Sequence, residues 1–262
     1  MDECETPAAG AGPGGVSAGR TPLLLAWSGG KDAAWTLHAL RQRGEVEVVG
    51  LLSTVGREDG RTTLQEVARE VLRAQARAAG LPLLEVPLRA GSGNDAYVGA
   101  MADALRAAAT RWPELRTVAF GDLFLADIRE WRVAQMARIG WTVETPLFGL
   151  DTALLAREML RGGLRARLSC VDTDQLDGDF AGREFDADLL DALPAGVDPC
   201  GENGEFHTCV HAGPMFDAPL ALAPAGRRLR DGRFAIADFT LAPPGGAAQN
   251  PVAAAASQRR RR

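Results

Sequence analysis

The chain has 262 residues, of which 46% are hydrophobic and 24% charged, and it carries a formal net charge of −5 at pH 7. This is ordinary usage for a globular protein with one large domain, or with a large domain and a smaller one. The acidic balance argues against a nucleic-acid partner, and no apolar run reaches the roughly 18 residues of a membrane span. We therefore expect a cytoplasmic protein without a membrane or nucleic-acid partner.

Both ends of the chain lack apolar periodicity. Residues 1–20 are rich in Gly, Ala and Pro, and residues 243–262 begin with a Pro/Gly stretch and end in four arginines. Such segments bury too little apolar surface to offset the entropy lost on ordering. They are predicted to be disordered tails, and the arginines are interpreted as a solvated tail rather than an RNA contact.

Between the tails, short apolar strands alternate with helical patterns. The predicted strands are residues 23–27, 46–53, 83–86, 117–120, 141–143 and 165–171. One helical pattern follows residue 30, and others span residues 94–111, 127–139 and 152–161, the last capped by Asp151. A further helix is predicted after a capping-box signature at Thr63 and Glu66, with Leu64 on its buried face. This alternation predicts an α/β fold with a doubly wound parallel sheet covered by helices on both faces.

The alternation of predicted strands and helices ends after residue 171. The chain there has short helical patterns, many Gly and Asp residues, and a predicted hairpin in which Asp231 and Gly232 join residues 227–230 to 234–241. We therefore predict a domain boundary near residue 144, with a smaller α+β domain over residues 144–242.

The first predicted strand ends in Ser-Gly-Gly-Lys-Asp, residues 28–32, directly before a helix. Glycines let an anion approach the backbone N–H groups, and the helix N-terminus adds unsatisfied donors and partial positive charge. Lys31 supplies a full charge, Ser28 a hydroxyl, and Asp32 a carboxylate that can hold magnesium or fix the turn. The spacing differs from both the commoner P-loop and the dinucleotide fingerprint. The loop is therefore predicted to cradle a pyrophosphate group.

The Ser-Gly-Gly-Lys-Asp motif resembles the PP-loop of ATP pyrophosphatases, which split ATP between its α and β phosphates. The resemblance implies ATP and Mg²⁺ as ligands. In that superfamily a Ser usually follows the Asp, whereas this chain has Ala33.

Other polar residues follow the predicted strands of the same sheet. Ligands of doubly wound sheets bind outside the carboxyl ends of the strands, so Asp122, after the fourth strand, is predicted to face the same edge as the phosphate loop. It is a second candidate for magnesium, and the alternative is a cap for the next helix. Ser53 and Thr54, at the end of the second strand, are placed near the adenine or ribose by position alone.

A second polar loop, residues 197–210, contains two glutamates, two cysteines and a histidine. In one interpretation Glu202 and Glu205 recognise an amine or ammonium, and His207 transfers protons near neutral pH. The other interpretation is a zinc site, although its spacing is unlike that of tight zinc sites; its ligands would be Cys200, His207, Cys209 and His211.

Four segments occur in the order found in the diphthine–ammonia ligase family of PP-loop ATPases, which the chain resembles. They are residues 28–32, 121–122, 145–148 and 201–208, the last reading Gly-Glu-Asn-Gly-Glu-Phe-His-Thr. The resemblance implies a Rossmann-like (HUP/PP-loop) nucleotide-binding domain over 21–143 and a family-specific substrate domain over 144–242. It also implies that ATP activates a carboxylate, from a small acid or borne by a protein, for attack by ammonia.

The resemblance also implies residue roles. ATP would be bound by Ser28, Gly29, Gly30, Lys31 and Asp32, and the substrate end would be formed by Glu202, Glu205 and His207. A homodimer is compatible with the sequence. One alternative is an ATP-binding regulator or adenine nucleotide α-hydrolase without ligase activity, which Ala33 favours. An RNA thiolation enzyme ranks last, because paired active-site cysteines and a basic face are not visible.

Overall fold

The computed structural model describes residues 19–243, and within them the first sheet has five strands. These are β1 (Thr21–Ala26), β2 (Val46–Gly56), β3 (Leu83–Leu88), β4 (Thr117–Ala119) and β5 (Thr142–Glu144). Their order is β3-β2-β1-β4-β5, and every neighbouring pair is parallel. The chain thus winds outward from β1 first on one side and then on the other, which is the predicted doubly wound, Rossmann-like arrangement.

One helix follows each strand of this sheet. They are α1 (Lys31–Gln42), α2 (Arg69–Ala78), α3 (Asn94–Arg111), α4 (Ala126–Arg138) and α5 (Thr152–Arg161). Asp151 caps α5 as predicted, since its carboxylate accepts a hydrogen bond from the Leu154 N–H at 2.8 Å.

The apolar run in β1 is explained by burial on both faces of the sheet. Leu23 and Leu25 point into one apolar cluster and Leu24 into another, and all three are fully buried. Each such side chain contributes about 2 kcal/mol by leaving water. The strand is therefore apolar without alternation, as expected for the centre of a parallel sheet.

The second sheet is antiparallel. It is formed by β6 (Arg165–Asp172), β7 (Phe206–Ala212), β8 (Leu222–Arg230) and β9 (Phe234–Leu241), in the order β7-β6-β9-β8. The short helix α6 (Ala187–Ala192) lies between β6 and β7 in the chain. The predicted hairpin is confirmed: Asp231 and Gly232 have φ of 54° and 67° and join β8 to β9.

The two sheets share an apolar core. Leu168 of β6, Val210 of β7 and Phe239 of β9 belong to the same buried cluster as Leu23 and Leu25. The division into domains 21–143 and 144–242 remains a prediction.

The predicted capping box before α2 is wrong. The helix begins at Arg69 without a side-chain cap, and Leu64, predicted to be buried, is 56% exposed. Glu66 instead adopts a left-handed φ of 56° and pairs through a buried carboxylate with Arg228, at 2.5 Å, and with Arg230. These two partners lie on β8, so the local sequence carried no signal for them.

Some predictions lie outside the described residues: both terminal tails, except for residues 19, 20 and 243, and Cys4. Within residues 19–243 the three remaining cysteines are free thiols. None of the helices in this range combines the length and the apolar character that crossing a membrane requires.

Candidate active site

The phosphate loop connects β1 to α1, as the sequence predicted. Gly29 has a left-handed φ of 82°, and a Cβ there would lie 2.9 Å from Gln75 Oε1 and 3.0 Å from Leu72 Cδ2. Both the conformation and the lack of space require glycine. The loop is therefore held tightly against α2.

A strand of the second sheet lies over the start of α1. The Lys31 N–H donates to Thr208 Oγ1 at 3.0 Å, and the Gly30 N–H donates to Ser28 Oγ at 3.3 Å. The Thr208 hydroxyl thus occupies one of the unsatisfied donors of the helix N-terminus. Thr208 lies in the segment 201–208 that resembles the ligase family, but it was not predicted as a site residue, because its contact with Lys31 joins residues 177 positions apart.

Lys31 is buried, with only 2% of its side chain exposed. Its ammonium donates to Asp32 Oδ2 at 2.9 Å and to the Cys200 carbonyl oxygen, and it lies 5.6 Å from the centre of the Phe206 ring. Burial alone would lower the pKa of Lys31, but Asp32, Cys200 and Glu202 together outweigh burial, and the pKa is raised. Lys31 is therefore a cation that joins the phosphate loop to residues 198–205, which we call the carboxylate loop.

One carboxylate oxygen of Asp32 has no hydrogen-bond partner within the described residues. Oδ2 pairs with Lys31, whereas Oδ1 is buried and has no hydrogen-bond partner within the described residues. A buried carboxylate oxygen without a partner is unfavourable unless a ligand satisfies it. Its position beside the phosphate loop and its hard oxygen fit a magnesium ligand.

Asp122 was predicted as a second magnesium ligand, but its carboxylate is already engaged. Arg132 Nη1, on α4, donates to both of its carboxylate oxygens, at 2.6 and 2.8 Å. The capping alternative is wrong, because Leu125 is the N-cap of α4 and makes no side-chain cap bond. The chain here does lie close to the phosphate loop: a Cβ on the preceding Gly121 would lie 2.9 Å from the Asp32 carbonyl carbon, and the charge of Asp122 contributes to the raised pKa of Glu202. With both oxygens engaged, Asp122 fits magnesium less well than Asp32 does.

Ser53 is buried in β2, with 1% of its surface exposed, and its Oγ has no hydrogen-bond partner within residues 19–243. Ser53 and Thr54 pair with Glu85 and Val86 of β3. Their predicted place beside the adenine or ribose stays a prediction.

Two carboxylates, the buried Glu205 and the half-buried Asp198, brace the carboxylate loop. Glu205, 2% exposed, accepts the Asp198 N–H at 2.8 Å and the Asn203 N–H at 2.9 Å. Asp198 accepts the Cys200 N–H at 2.8 Å and the Thr152 hydroxyl at 2.6 Å. Both oxygens of Glu205 are thus used inside the loop, so its geometry supports a structural role and not the predicted recognition of an amine.

Glu202 is the carboxylate of this loop that remains unengaged. Its backbone N–H donates to Asp198 Oδ1 at 3.4 Å, but within the described residues its carboxylate makes no hydrogen bond or ion pair. Burial, followed by the charge of Asp32, raises the pKa of this carboxyl group to about 7. Lys31 opposes this shift without cancelling it. Glu202 can therefore gain or lose a proton at neutral pH, close to the phosphate loop.

His207 does not have the predicted protonation behaviour. Burial, and then the positive charges of Lys31 and Arg230, lower its pKa to about 4. The imidazole is therefore neutral at pH 7, which argues against the predicted proton transfer near neutral pH. A neutral ring retains one donor and one acceptor for hydrogen bonding.

Two of the four residues of the zinc interpretation bond to groups outside the predicted ligand set. Cys200 Sγ contacts the Thr152 carbonyl at 3.4 Å, and His211 Nε2 bonds Glu184 at 2.7 Å. In the described part of the chain, no group of three or more His, Cys, Asp or Glu side chains is arranged to hold a metal. The geometry therefore disfavours the zinc interpretation, and of the substrate interpretation it retains Glu202.

Comparison with known protein families gives one match. Residues 151–235 match the family described as the diphthamide synthase C-terminal domain. No curated protein matches the chain significantly. The matched range begins at the cap of α5 and contains the whole carboxylate loop and β7.

Proposed function

We propose that the chain, whose residues 151–235 match the diphthamide synthase C-terminal domain, is an ATP-dependent C–N ligase of the diphthine–ammonia ligase family of PP-loop ATP pyrophosphatases. In this proposal it adenylates a carboxylate, transfers ammonia to it, and releases AMP and pyrophosphate. The observation that carries the proposal is the buried Lys31 ammonium, which contacts Asp32 of the phosphate loop and Cys200 of the carboxylate loop. The two loops thereby form one site.

The phosphate loop would bind the leaving group of the first step. A carboxylate oxygen of the acceptor attacks the α-phosphorus, and the bond from that phosphorus to the oxygen bridging to the β-phosphate breaks. The electron pair leaves with pyrophosphate, whose charge is stabilised by the backbone N–H groups around Gly30 and by Lys31. Asp32 would hold Mg²⁺, which when bound neutralises phosphate charge.

The carboxylate loop would serve the second step. Ammonia attacks the acyl carbon of the adenylate, the bond from that carbon to the AMP oxygen breaks, and AMP departs. The attacking nitrogen must lose a proton, and Glu202 accepts it with a pKa of about 7. The product is an amide. Its acid component is a small acid or a carboxylate borne by a protein.

One observation favours a second candidate function, that of an ATP-binding regulator or adenine nucleotide α-hydrolase without ligase activity. Ala33 supplies no hydroxyl where many PP-loops carry a Ser. Its side chain is 4% exposed and belongs to the apolar core cluster. Such a protein would not need the unengaged carboxylate of Glu202, which is why the ligase is preferred.

Exchange of labelled pyrophosphate into ATP tests the ligase proposal. Adenylation is reversible, so the protein with MgATP, labelled pyrophosphate and a panel of carboxylic acids is expected to form labelled ATP in the absence of ammonia. The exchange should depend on the acid. Exchange that proceeds equally without any acid, or an acid-independent release of AMP that ammonium does not change, would support the hydrolase instead.

A further inference from the structure

Gln75 on α2 is an amide enclosed completely by the core, with no exposed surface. Its Nε2 donates to the Gly29 carbonyl at 3.0 Å and to the Val210 carbonyl at 2.7 Å, and its Oε1 accepts the Trp27 indole N–H at 3.0 Å. A buried amide is unfavourable unless it is hydrogen-bonded, and here all these bonds go to the phosphate loop, its preceding strand end, and β7.

The Gly29 carbonyl is held by two donors, Gln75 Nε2 and the Val210 N–H at 2.9 Å. In a planar trans peptide the C=O and the following N–H point in opposite directions. Fixing the Gly29 oxygen toward Gln75 and Val210 therefore fixes the Gly30 N–H toward the opposite side, where it meets Ser28 Oγ.

Glycine at position 29 makes this anchor necessary. A glycine occupies left-handed and right-handed conformations with similar ease, so the Gly29–Gly30 peptide has little intrinsic preference for one orientation. A rotated peptide would present a carbonyl oxygen, which repels phosphate, in place of the N–H.

We infer that Gln75 is a positioning residue for ATP: it orients the Gly29–Gly30 peptide so that the Gly30 N–H faces the β and γ phosphates. The inference rests on the proposed function, because it assumes that the phosphate loop binds ATP. Gln75 itself touches no phosphate. It acts through the Gly29 carbonyl, and through Val210 it joins that carbonyl to the second sheet.

Two variants separate this role from plain packing. Gln75→Met keeps the length and volume of the side chain but removes both amide donors. Trp27→Phe is the matched control: it removes the indole N–H bonded to Gln75 Oε1 and leaves the bonds from Gln75 Nε2 to Gly29 and Val210 in place. Both lose buried hydrogen bonding, so both are expected to melt at a lower temperature than the wild type.

Titration calorimetry with MgATP and with AMP gives the decisive comparison. Gln75→Met is expected to bind MgATP about tenfold more weakly than the wild type, because the phosphates lose one charge-assisted hydrogen bond. Its affinity for AMP should stay within about twofold of the wild type, because AMP lacks the β and γ phosphates. Trp27→Phe is expected to bind both as the wild type does. If Gln75→Met does not fold, Gln75→Leu takes its place, since it is also uncharged and removes both amide donors.

Three results would overturn the inference. MgATP affinity equal to wild type in the folded Gln75 variant removes the positioning role. A parallel loss of MgATP and AMP affinity, or an equal loss in Trp27→Phe, means that the effect is general destabilisation. Absence of MgATP binding by the wild-type protein defeats the proposed function and the inference together, and that result is recognised before any variant is compared.

Discussion

Glu202→Gln is expected to lower the rate of AMP formation by about 10²-fold or more and to leave ATP affinity within about twofold of the wild type. The substitution keeps the side-chain shape but removes the proton acceptor of the amidation step. It leaves the phosphate loop and both braces of the carboxylate loop unchanged. Single-turnover assays of AMP formation, paired with calorimetric titration of MgATP, separate the two quantities.

The pH dependence gives a second readout of the same variant. Only the ionised carboxylate accepts a proton, so wild-type turnover is expected to rise with pH through about 7, and this rise should be absent in Glu202→Gln. The raised pKa also means that the folded state favours the protonated acid, so its contribution to stability declines as pH rises from the ordinary value of 4.5 toward 7. At pH 8 the variant should therefore melt at or above the wild-type temperature.

Glu205→Gln is the matched control, because it makes the same chemical change three residues away. Its carboxylate accepts N–H groups of Asp198 and Asn203, and an amide would turn a donor toward one of them. We expect a loss of about 2 kcal/mol in the free energy of unfolding. Wild-type turnover in Glu202→Gln would contradict the assignment, as would wild-type stability in Glu205→Gln.

Lys31→Met is expected to weaken ATP binding by more than about tenfold and to lower the free energy of unfolding by about 2 kcal/mol. Methionine fills much of the space of the lysine stem, but the phosphates lose a positive charge. Asp32 also loses its ion-pair partner, and the Cys200 carbonyl loses a donor. Calorimetric titration and chemical denaturation measure the two losses.

The double variant Lys31→Met/Asp32→Asn separates the loss of stability from the loss of ATP affinity. Removing the unpaired carboxylate should restore part of the stability, because a buried charge without a partner is the main penalty. ATP affinity should not recover, since both the cation and the candidate magnesium ligand are then missing. Wild-type ATP affinity in folded Lys31→Met would remove the phosphate-loop assignment.

The sequence was sufficient to predict features with local causes. Leu23, Leu24 and Leu25 identified a strand buried on both faces, and the pair Asp231-Gly232 identified a hairpin through its backbone preferences. Asp151 as a helix cap depends only on the three residues that follow it. In each case the signal and the structure it determines lie within a few residues.

Features that depend on distant partners were not predictable from the sequence. Glu66 resembled a capping residue, but its arginine partners lie on β8. Glu202 and Glu205 are chemically identical in the sequence, and only the folded loop shows that one braces the backbone and the other is unengaged. The low pKa of His207 results from burial and from Lys31 and Arg230, which one-dimensional spacing does not bring together.

The central claim, that the phosphate and carboxylate loops form one adenylating site, is tested most directly by the nucleotide products. The protein is incubated with MgATP and ammonium, with and without candidate acids, and the nucleotides are separated and quantified together with pyrophosphate and phosphate. The proposal predicts AMP and pyrophosphate in equal amounts, formed faster when the cognate acid and ammonium are both present. ADP and phosphate as the main products would contradict it, because a loop that grips pyrophosphate as the leaving group cannot give ADP.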